Sequence, residues 1–266
     1  MTVGFIGTGN MGGALAKAVT KTLGGANVLL TDRDADKASA LAKKLGATAV
    51  DTAQVATQSD YIFLGVKPQM MAEMLGEIAP LLAARRTSAV LISMAAGLSL
   101  AAIREMVGFA CSIIRIMPNT PVAVGQGMVL YCATPETDAT QMDAFQQMMQ
   151  AAGRLGEMEE RLIDAASAVS GCGPAFVYLF IEALADGGVK CGLPRQMALD
   201  YAAQTVLGAA QMVLETGEHP GCLKDAVCSP GGTTIAGVHA LECGGFRSLA
   251  MDAVEAAYAR TLELAK

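Results

Sequence analysis

Short runs of β-branched and other apolar residues alternate with Ala-rich helical stretches through the first half of the chain. Val3 to Ile6, Asn27 to Thr31, Ala47 to Val50, Tyr61 to Val66, Ala89 to Ser93 and Cys111 to Met117 read as strands. The run YIFLGV is apolar at every position, the pattern of a central strand covered on both faces. Between these runs, apolar residues recur with helical spacing over about Gly12 to Leu23, Ala35 to Leu45, Gln69 to Leu82 and Leu98 to Met106. Gly127 to Cys132 adds a later strand and Glu136 to Met149 a helix. This β-α-β-α order predicts a parallel, doubly wound sheet, an α/β Rossmann arrangement.

After Gly156 the strand signal ends. Helical patterns cover about Asp164 to Lys190 (kinked at Gly173-Pro174), Pro194 to Thr216, Pro220 to Cys228, Thr234 to Leu241 and Phe246 to Leu264. Pro194 and Pro220 sit where a first helical turn tolerates proline, and Gly192 and Gly217 where helices end. The pattern therefore predicts two domains, residues 1–155 with the sheet and residues 156–266 all helical. Alanines at 250, 253, 256 and 257 let helices approach closely, in either a dimerisation element or a monomeric bundle.

Composition and local sequence sharpen this picture in four ways. The chain of 266 residues is 53% hydrophobic, which favours a packed globular protein over disorder. A net charge of −6 argues against a nucleic-acid partner and requires local donors for any anionic ligand. The N-terminus enters a strand at once with no signal-like segment, and Pro118, Pro121 and Gly125 interrupt one long uncharged stretch, so a cytoplasmic protein without a membrane span is expected. The seven cysteines form no C-x-x-C pair, and the histidines are only His219 and His239, so no metal site is expected.

The strongest chemical signal is Gly7-Thr8-Gly9-Asn10-Met11-Gly12, a G-x-G-x-x-G that follows the strand ending at Ile6 and opens a helix. Its glycines permit a tight turn, close approach of backbone to a pyrophosphate, and helix–strand packing. The helix start offers free N–H groups to phosphate. Asp32 lies about twenty positions on, at the end of the second strand, where ribose hydroxyls belong. It favours a free 2′-hydroxyl, whereas Arg33 beside it can cover a 2′-phosphate with Asp32 turned outward, so NAD and NADP both stay open. Two further strand ends face the same crevice: Val66, Lys67 and Pro68, and Met94 with Ala95.

A second cluster, Ser229-Pro230-Gly231-Gly232-Thr233-Thr234, is a loop that opens a helix. Successive N–H groups beside hydroxyls suit a small carboxylate, although an ordinary threonine cap reads the same way.

Together with VGFIGTGNMGGAL, VKP at Val66 to Pro68, SMAAG at Ser93 to Gly97, RIMPNTP at Arg115 to Pro121, SGCGPAF at Ser170 to Phe176 and GEHPGCLKD at Gly217 to Asp225, this loop resembles the pyrroline-5-carboxylate reductases over essentially the whole chain. The resemblance implies a Rossmann domain with an all-α C-terminal dimerisation domain, and a homodimer that in some members assembles further. It implies reduction of L-1-pyrroline-5-carboxylate to L-proline, the last step of proline biosynthesis, with NADP(H) preferred and NAD(H) possible. By the same resemblance the Gly231–Thr234 turn binds the substrate carboxylate through Gly232, Thr233 and Thr234. The Thr234 hydroxyl meets the ring nitrogen, Glu218 lies near the substrate loop, and Asn119 of RIMPNTP joins Ile6 to Gly12 in binding the cofactor. Two rivals remain. A β-hydroxyacid dehydrogenase shares the opening glycine motif but needs a lysine soon after a second Gly-rich segment, and none follows Gly173 until Lys190. A non-catalytic NADPH-binding sensor or scaffold has no need of a carboxylate loop.

Overall fold

The structure is a computed structural model that describes residues 1–264. Its strands are β1 (Val3–Ile6), β2 (Val28–Thr31), β3 (Thr48–Ala49), β4 (Tyr61–Leu64), β5 (Val90–Ser93), β6 (Ile113–Pro118), β7 (Gly127–Ala133) and β8 (Gly153–Glu157). They form one sheet in the order β3-β2-β1-β4-β5-β6-β7-β8, so the chain reverses its direction of winding after β3. Every residue of β1, β2, β4, β5 and β6 is buried, because helices cover both faces. Phe5 stacks on Phe63 in one of the two flanking cores, with ring centroids 4.4 Å apart.

The sheet departs from the all-parallel expectation at β7, which runs antiparallel to β6. The connection from Pro118 to Gly127 is one short turn, and a parallel return needs a crossover of a dozen residues or more. β8 follows the helix α6 named below and is again parallel to its neighbour. The periodicity also misses β8, whose Gly153 and Gly156 dilute its strand signal.

The helices of this half are α1 (Asn10–Leu23), α2 (Ala35–Leu45), α3 (Thr52–Gln58), α4 (Met71–Ala83), α5 (Leu100–Val107) and α6 (Ala139–Met149). α2 has its expected bounds, with the Asp34 carboxylate accepting from Lys37 N–H at its start. α3 is absent from the sequence reading, being only seven residues long; a reciprocal cap between Asp51 and Gln54 holds it.

The stretch expected as one kinked helix is two, α7 (Glu160–Ser170) and α8 (Gly173–Lys190). The ring of Pro174 cannot follow Ser170 in an unbroken helix, because it lacks an N–H and meets the carbonyl four residues back. α9 (Arg195–Thr216), α10 (Pro220–Ala226), α11 (Thr233–Cys243) and α12 (Phe246–Leu264) complete the chain.

Two compact units result: Met1–Cys172 with the chain end from Tyr258, and Gly173–Ala257. The division falls at Cys172, beyond the boundary near residue 155 that the fading strand signal suggested, because α7 belongs to the sheet unit. Its Ile163 is fully buried there. Arg115 of β6, 3% exposed, donates to Glu160 at 3.2 Å and Asp164 at 2.8 Å. Glu160 also accepts from Leu100 N–H at 2.7 Å, so one ion triad ties α7, β6 and α5 together.

The second unit buries little of its own: Ala185, Ala198 and Ala202 form its core, while Tyr178, Leu179, Leu207, Leu214, Leu249 and Met251 lie exposed. The helical stretch Glu160–Lys190 is long and apolar enough to cross a membrane by length and composition, with only 11% of its most apolar window buried.

Removing the cation strands two carboxylates beside a buried strand. Arg115→Leu should lower unfolding stability by about 3 kcal/mol, whereas Glu160→Gln, at the more exposed end of the triad, should cost less. Urea denaturation midpoints of the two variants test this ranking, and equal midpoints would contradict it.

Candidate functional site

The carboxyl end of β1 is built by backbone alone. Gly7 turns the chain at φ +98°, its N–H donates to Thr31 carbonyl at 2.8 Å, and Gly65 N–H donates to Ile6 carbonyl at 2.7 Å. A Cβ on Gly12 would stand 2.2 Å from Gly7 carbonyl, and one on Gly7 would stand 2.6 Å from that of Gly65. Neither position tolerates a side chain. Gly65 is a member of this crossing that the G-x-G-x-x-G pattern does not contain.

At Gly9 the situation is reversed, since a Cβ there would meet nothing within 4 Å. Gly9 precedes α1 with no side-chain cap, so the first-turn N–H groups at Asn10, Met11 and Gly12 have no acceptor within the helix. Open space above uncapped donors and a positive helix end fits a pyrophosphate.

Asp32, at the end of β2, faces this turn rather than solvent. Its Oδ2 accepts the Thr8 N–H at 2.6 Å and the Thr8 hydroxyl at 2.9 Å, and its Oδ1 accepts Asp34 N–H at 3.1 Å. Partial burial pushes its pKa up, but the N–H groups of Thr8 and Asp34, the Thr8 hydroxyl and the charge of Lys37 outweigh that and hold it below the ordinary carboxylate value. The outward orientation allowed for in the sequence is not the one adopted. Thr8 commits both its donors to Asp32.

Ile6, Asp32, Arg33 and Val66 come together as walls of a cavity of about 280 Å³ that Met70, Glu73 and Glu77 also line. A second cavity, about 570 Å³, also has Asp32 in its wall and is lined by Ala35, Ser39, Val50, Asp51 and Gln54 among others. Lys67 and Pro68 begin a short 3₁₀ turn after β4, with Lys67 exposed. After β5, Met94 is half-buried and Ala95 buried, its N–H donating to the Ser93 hydroxyl at 3.3 Å. Asn119 is turned inward: Oδ1 accepts Met128 N–H and Nδ2 donates to Ser170 carbonyl, each at 2.9 Å, which leaves one amide hydrogen for other use.

In the helical unit, Gly231 turns at φ +67° and Gly232 precedes α11 without a side-chain cap. Gly232 N–H donates to Ser229 carbonyl at 3.0 Å, so the turn closes on itself and the next donors, at Thr233 and Thr234, begin the helix. Both threonines are exposed. A Cβ on Gly232 would lie 2.3 Å from Ser229 Oγ. The ordinary threonine cap is therefore not what this sequence forms, because both threonines lie inside the helix. Glu218 lies exposed in the turn before α10, where its N–H donates to Thr216 Oγ1 at 3.1 Å.

Among the residues most often used as nucleophiles and acids, Cys111, Cys132 and His219 have structural roles. Burial, helped by Glu160, pushes the Cys132 thiol up to about 11, and burial also raises Cys111. His219 caps α10, its Nδ1 accepting Gly221 N–H at 3.0 Å. What the two glycine turns offer is backbone donors for anions and one threonine hydroxyl pair, a set suited to binding and orienting.

Residues 160–264 match the family described as pyrroline-5-carboxylate reductase dimerisation, and residues 2–97 match NADP oxidoreductase coenzyme F420-dependent. The chain is 43% identical to a pyrroline-5-carboxylate reductase of Pisum sativum, over 99% of this chain and 96% of that one. The solved pyrroline-5-carboxylate reductase of Coxiella burnetii matches with a TM-score of 0.90 at 34% identity, covering 100% of this chain and 98% of the other. The pyrroline carboxylate reductase of Plasmodium falciparum, solved with NADP bound, gives 0.87 at 33% identity over the same shares.

The glycine turn makes a stability prediction that separates its members. Gly12→Ala should lower the melting temperature by several degrees, as overpacking by about 2 kcal/mol does. Gly9→Ala should leave it nearly unchanged while weakening dinucleotide binding. Thermal melts with and without NADPH check both halves.

Proposed function

This chain belongs to the pyrroline-5-carboxylate reductase family, and from that membership we propose that it reduces the C=N bond of L-1-pyrroline-5-carboxylate to give L-proline, the closing step of proline biosynthesis. It is an NAD(P)H-dependent oxidoreductase. The observation that carries the substrate assignment is the uncapped start of α11, where a conformationally special Gly231-Gly232 turn presents Thr233 and Thr234. An acidic protein of net charge −6 repels a carboxylate at long range, so such local donors are what an amino-acid-like ring requires.

In this reading the Thr233 and Thr234 N–H groups hold the carboxylate, with Gly231 and Gly232 shaping the turn. The Thr234 hydroxyl hydrogen-bonds the ring nitrogen, and Glu218 stands near the same loop. Gly9, Asn10, Met11 and Gly12 receive the pyrophosphate over the start of α1, with Gly7 shaping the turn and Thr8 acting only through Asp32, to which both its donors are committed, while Ile6, Asp32, Arg33 and Val66 surround the adenosine end. Lys67, Pro68, Met94, Ala95 and Asn119 border the strand ends toward the nicotinamide. The reduced nicotinamide supplies a hydride when bound. The imine carbon takes that hydride and the imine nitrogen takes one proton, which leaves a secondary amine. Catalysis then rests on orientation to about 3–3.5 Å and on the hydrogen bond to nitrogen. The hydroxyacid dehydrogenase alternative fails on its base, because the lysine of α8 is its last residue, Lys190.

The family's dimerisation match, residues 160–264, takes in the whole second unit, and the proposal is a homodimer covering the exposed apolar residues of α8, α9 and α12, those of α8 being among the residues that give Glu160–Lys190 its membrane-like composition. The chain's seven free cysteines suit a reducing cytoplasm.

Two measurements test these assignments. Thr234→Ala should keep NADPH affinity and lower turnover by about 10²–10³, and an unchanged turnover would remove Thr234 from the mechanism. Light scattering should give at least twice the chain mass of 27.3 kDa, with Leu214→Glu shifting the protein toward monomer or aggregate.

A further inference from the structure

At the carboxyl end of α11, His239 and Cys243 stand four residues apart and so project from one side of the helix. The Cys243 Sγ lies 3.5 Å from Nε2 of the imidazole and 3.9 Å from Nδ1. Both side chains are exposed. A hydrogen bond between two solvated groups satisfies nothing that water would not. The separation is also that of two ligands on one metal ion. In a tetrahedral zinc site the sulfur stands about 2.3 Å and the imidazole nitrogen about 2.0–2.1 Å from the ion, which puts the two about 3.6 Å apart. We propose that His239 and Cys243 form a two-point chelate for a borderline-soft divalent cation of the zinc class, with water completing the coordination sphere.

The spacing H-x-x-x-C is not the C-x-x-C whose absence argues against a metal, but on a helix it brings both donors to one point. Thiolate and neutral imidazole suit zinc, whereas magnesium and calcium take oxygen ligands. On binding, the thiol proton leaves to solvent as the sulfur–metal bond forms and the imidazole nitrogen gives its lone pair, so nothing is oxidised or reduced. The place in the helix favours a cation as well, because the carbonyl end of α11 carries the negative end of the helix dipole. Glu242 adds no third ligand, since its Oε1 accepts the Arg247 Nε–H at 2.7 Å, and no cluster of three candidate ligands occurs among the described residues. Two protein ligands make an exchangeable site, unlike a structural zinc site, which closes with four. Occupancy ties the last turns of α11 together, and the chelate does not depend on what the Gly231–Thr234 turn binds.

Isothermal titration of the full chain with Zn²⁺, in a non-thiol reductant, should show a site that His239→Ala and Cys243→Ser each weaken by at least about tenfold, the loss that even an outer-shell partner causes. Cys191→Ser removes another exposed thiol and should leave that site unchanged. Cd²⁺ in place of Zn²⁺ should add the ultraviolet absorption of a cadmium–thiolate bond at the same stoichiometry, and Cys243→Ser should lose it. Amide hydrogen exchange in the last turns of α11 should slow when Zn²⁺ is added to the parent chain and stay unchanged in both variants. Both substitutions are on exposed positions, so the metal-free melting temperatures should match that of the parent. Equal Zn²⁺ affinity in the parent and the two variants overturns the proposal. So does a site that Cys191→Ser removes and Cys243→Ser leaves. Loss in Cys243→Ser with His239→Ala unaffected overturns it too, because the metal then rests on a thiol alone.

Discussion

At the carboxyl end of β1 two strands and a helix meet with no side chain between them. Gly7 lies against Gly65 on the β4 side and under Gly12 on the helix side, and each would collide if it carried a Cβ. Because the backbones touch, α1 begins directly above the strand ends, and its uncapped N–H groups open on the crevice that a parallel sheet leaves at its switch of direction. The strand order around β1, with β2 on one side and β4 on the other, places that switch at the same point. The close approach thus sets where the uncapped donors of α1 lie relative to the switch point of the sheet.

The helical unit repeats the device with different parts. Gly232 stands before α11 as Gly9 stands before α1, and neither helix start is capped by a side chain. A protein of net charge −6 that binds anionic ligands has to concentrate positive potential locally. Backbone donors at helix ends do so without adding a titratable group. Two thiols, Cys111 and Cys132, are buried in packing and His219 caps α10, which agrees with a reaction whose demand is orientation rather than nucleophilic attack.

Asp32 shows how a site residue is legible in part. Its spacing after the glycine motif marks the position, because strand length and turn length are fixed by the Rossmann geometry. The direction of its side chain is not encoded in spacing. It depends on Thr8, which lies far from Asp32 in sequence and close in space only once β1 and β2 pair. Gly65 and Arg115 illustrate the same limit: one is a glycine among many, the other an arginine in an apolar strand. Only the packed sheet reveals what each one touches.

The sequence by itself determined the class of fold, the long helices and the two glycine turns, since hydrophobic period, proline placement and glycine clustering are local properties of the chain. α2 and α12 have the bounds their patterns predict. Tertiary structure decided what local pattern cannot carry. The reversal at β7 came from a connection too short to cross over, and α7 joined the sheet unit through Ile163 and the Arg115 triad. The seven residues of α3 held through a cap and two buried side chains. In each of these cases the deciding energy comes from contacts between residues distant in sequence, or from an element too short to show a period, so the information exists only once the chain is folded.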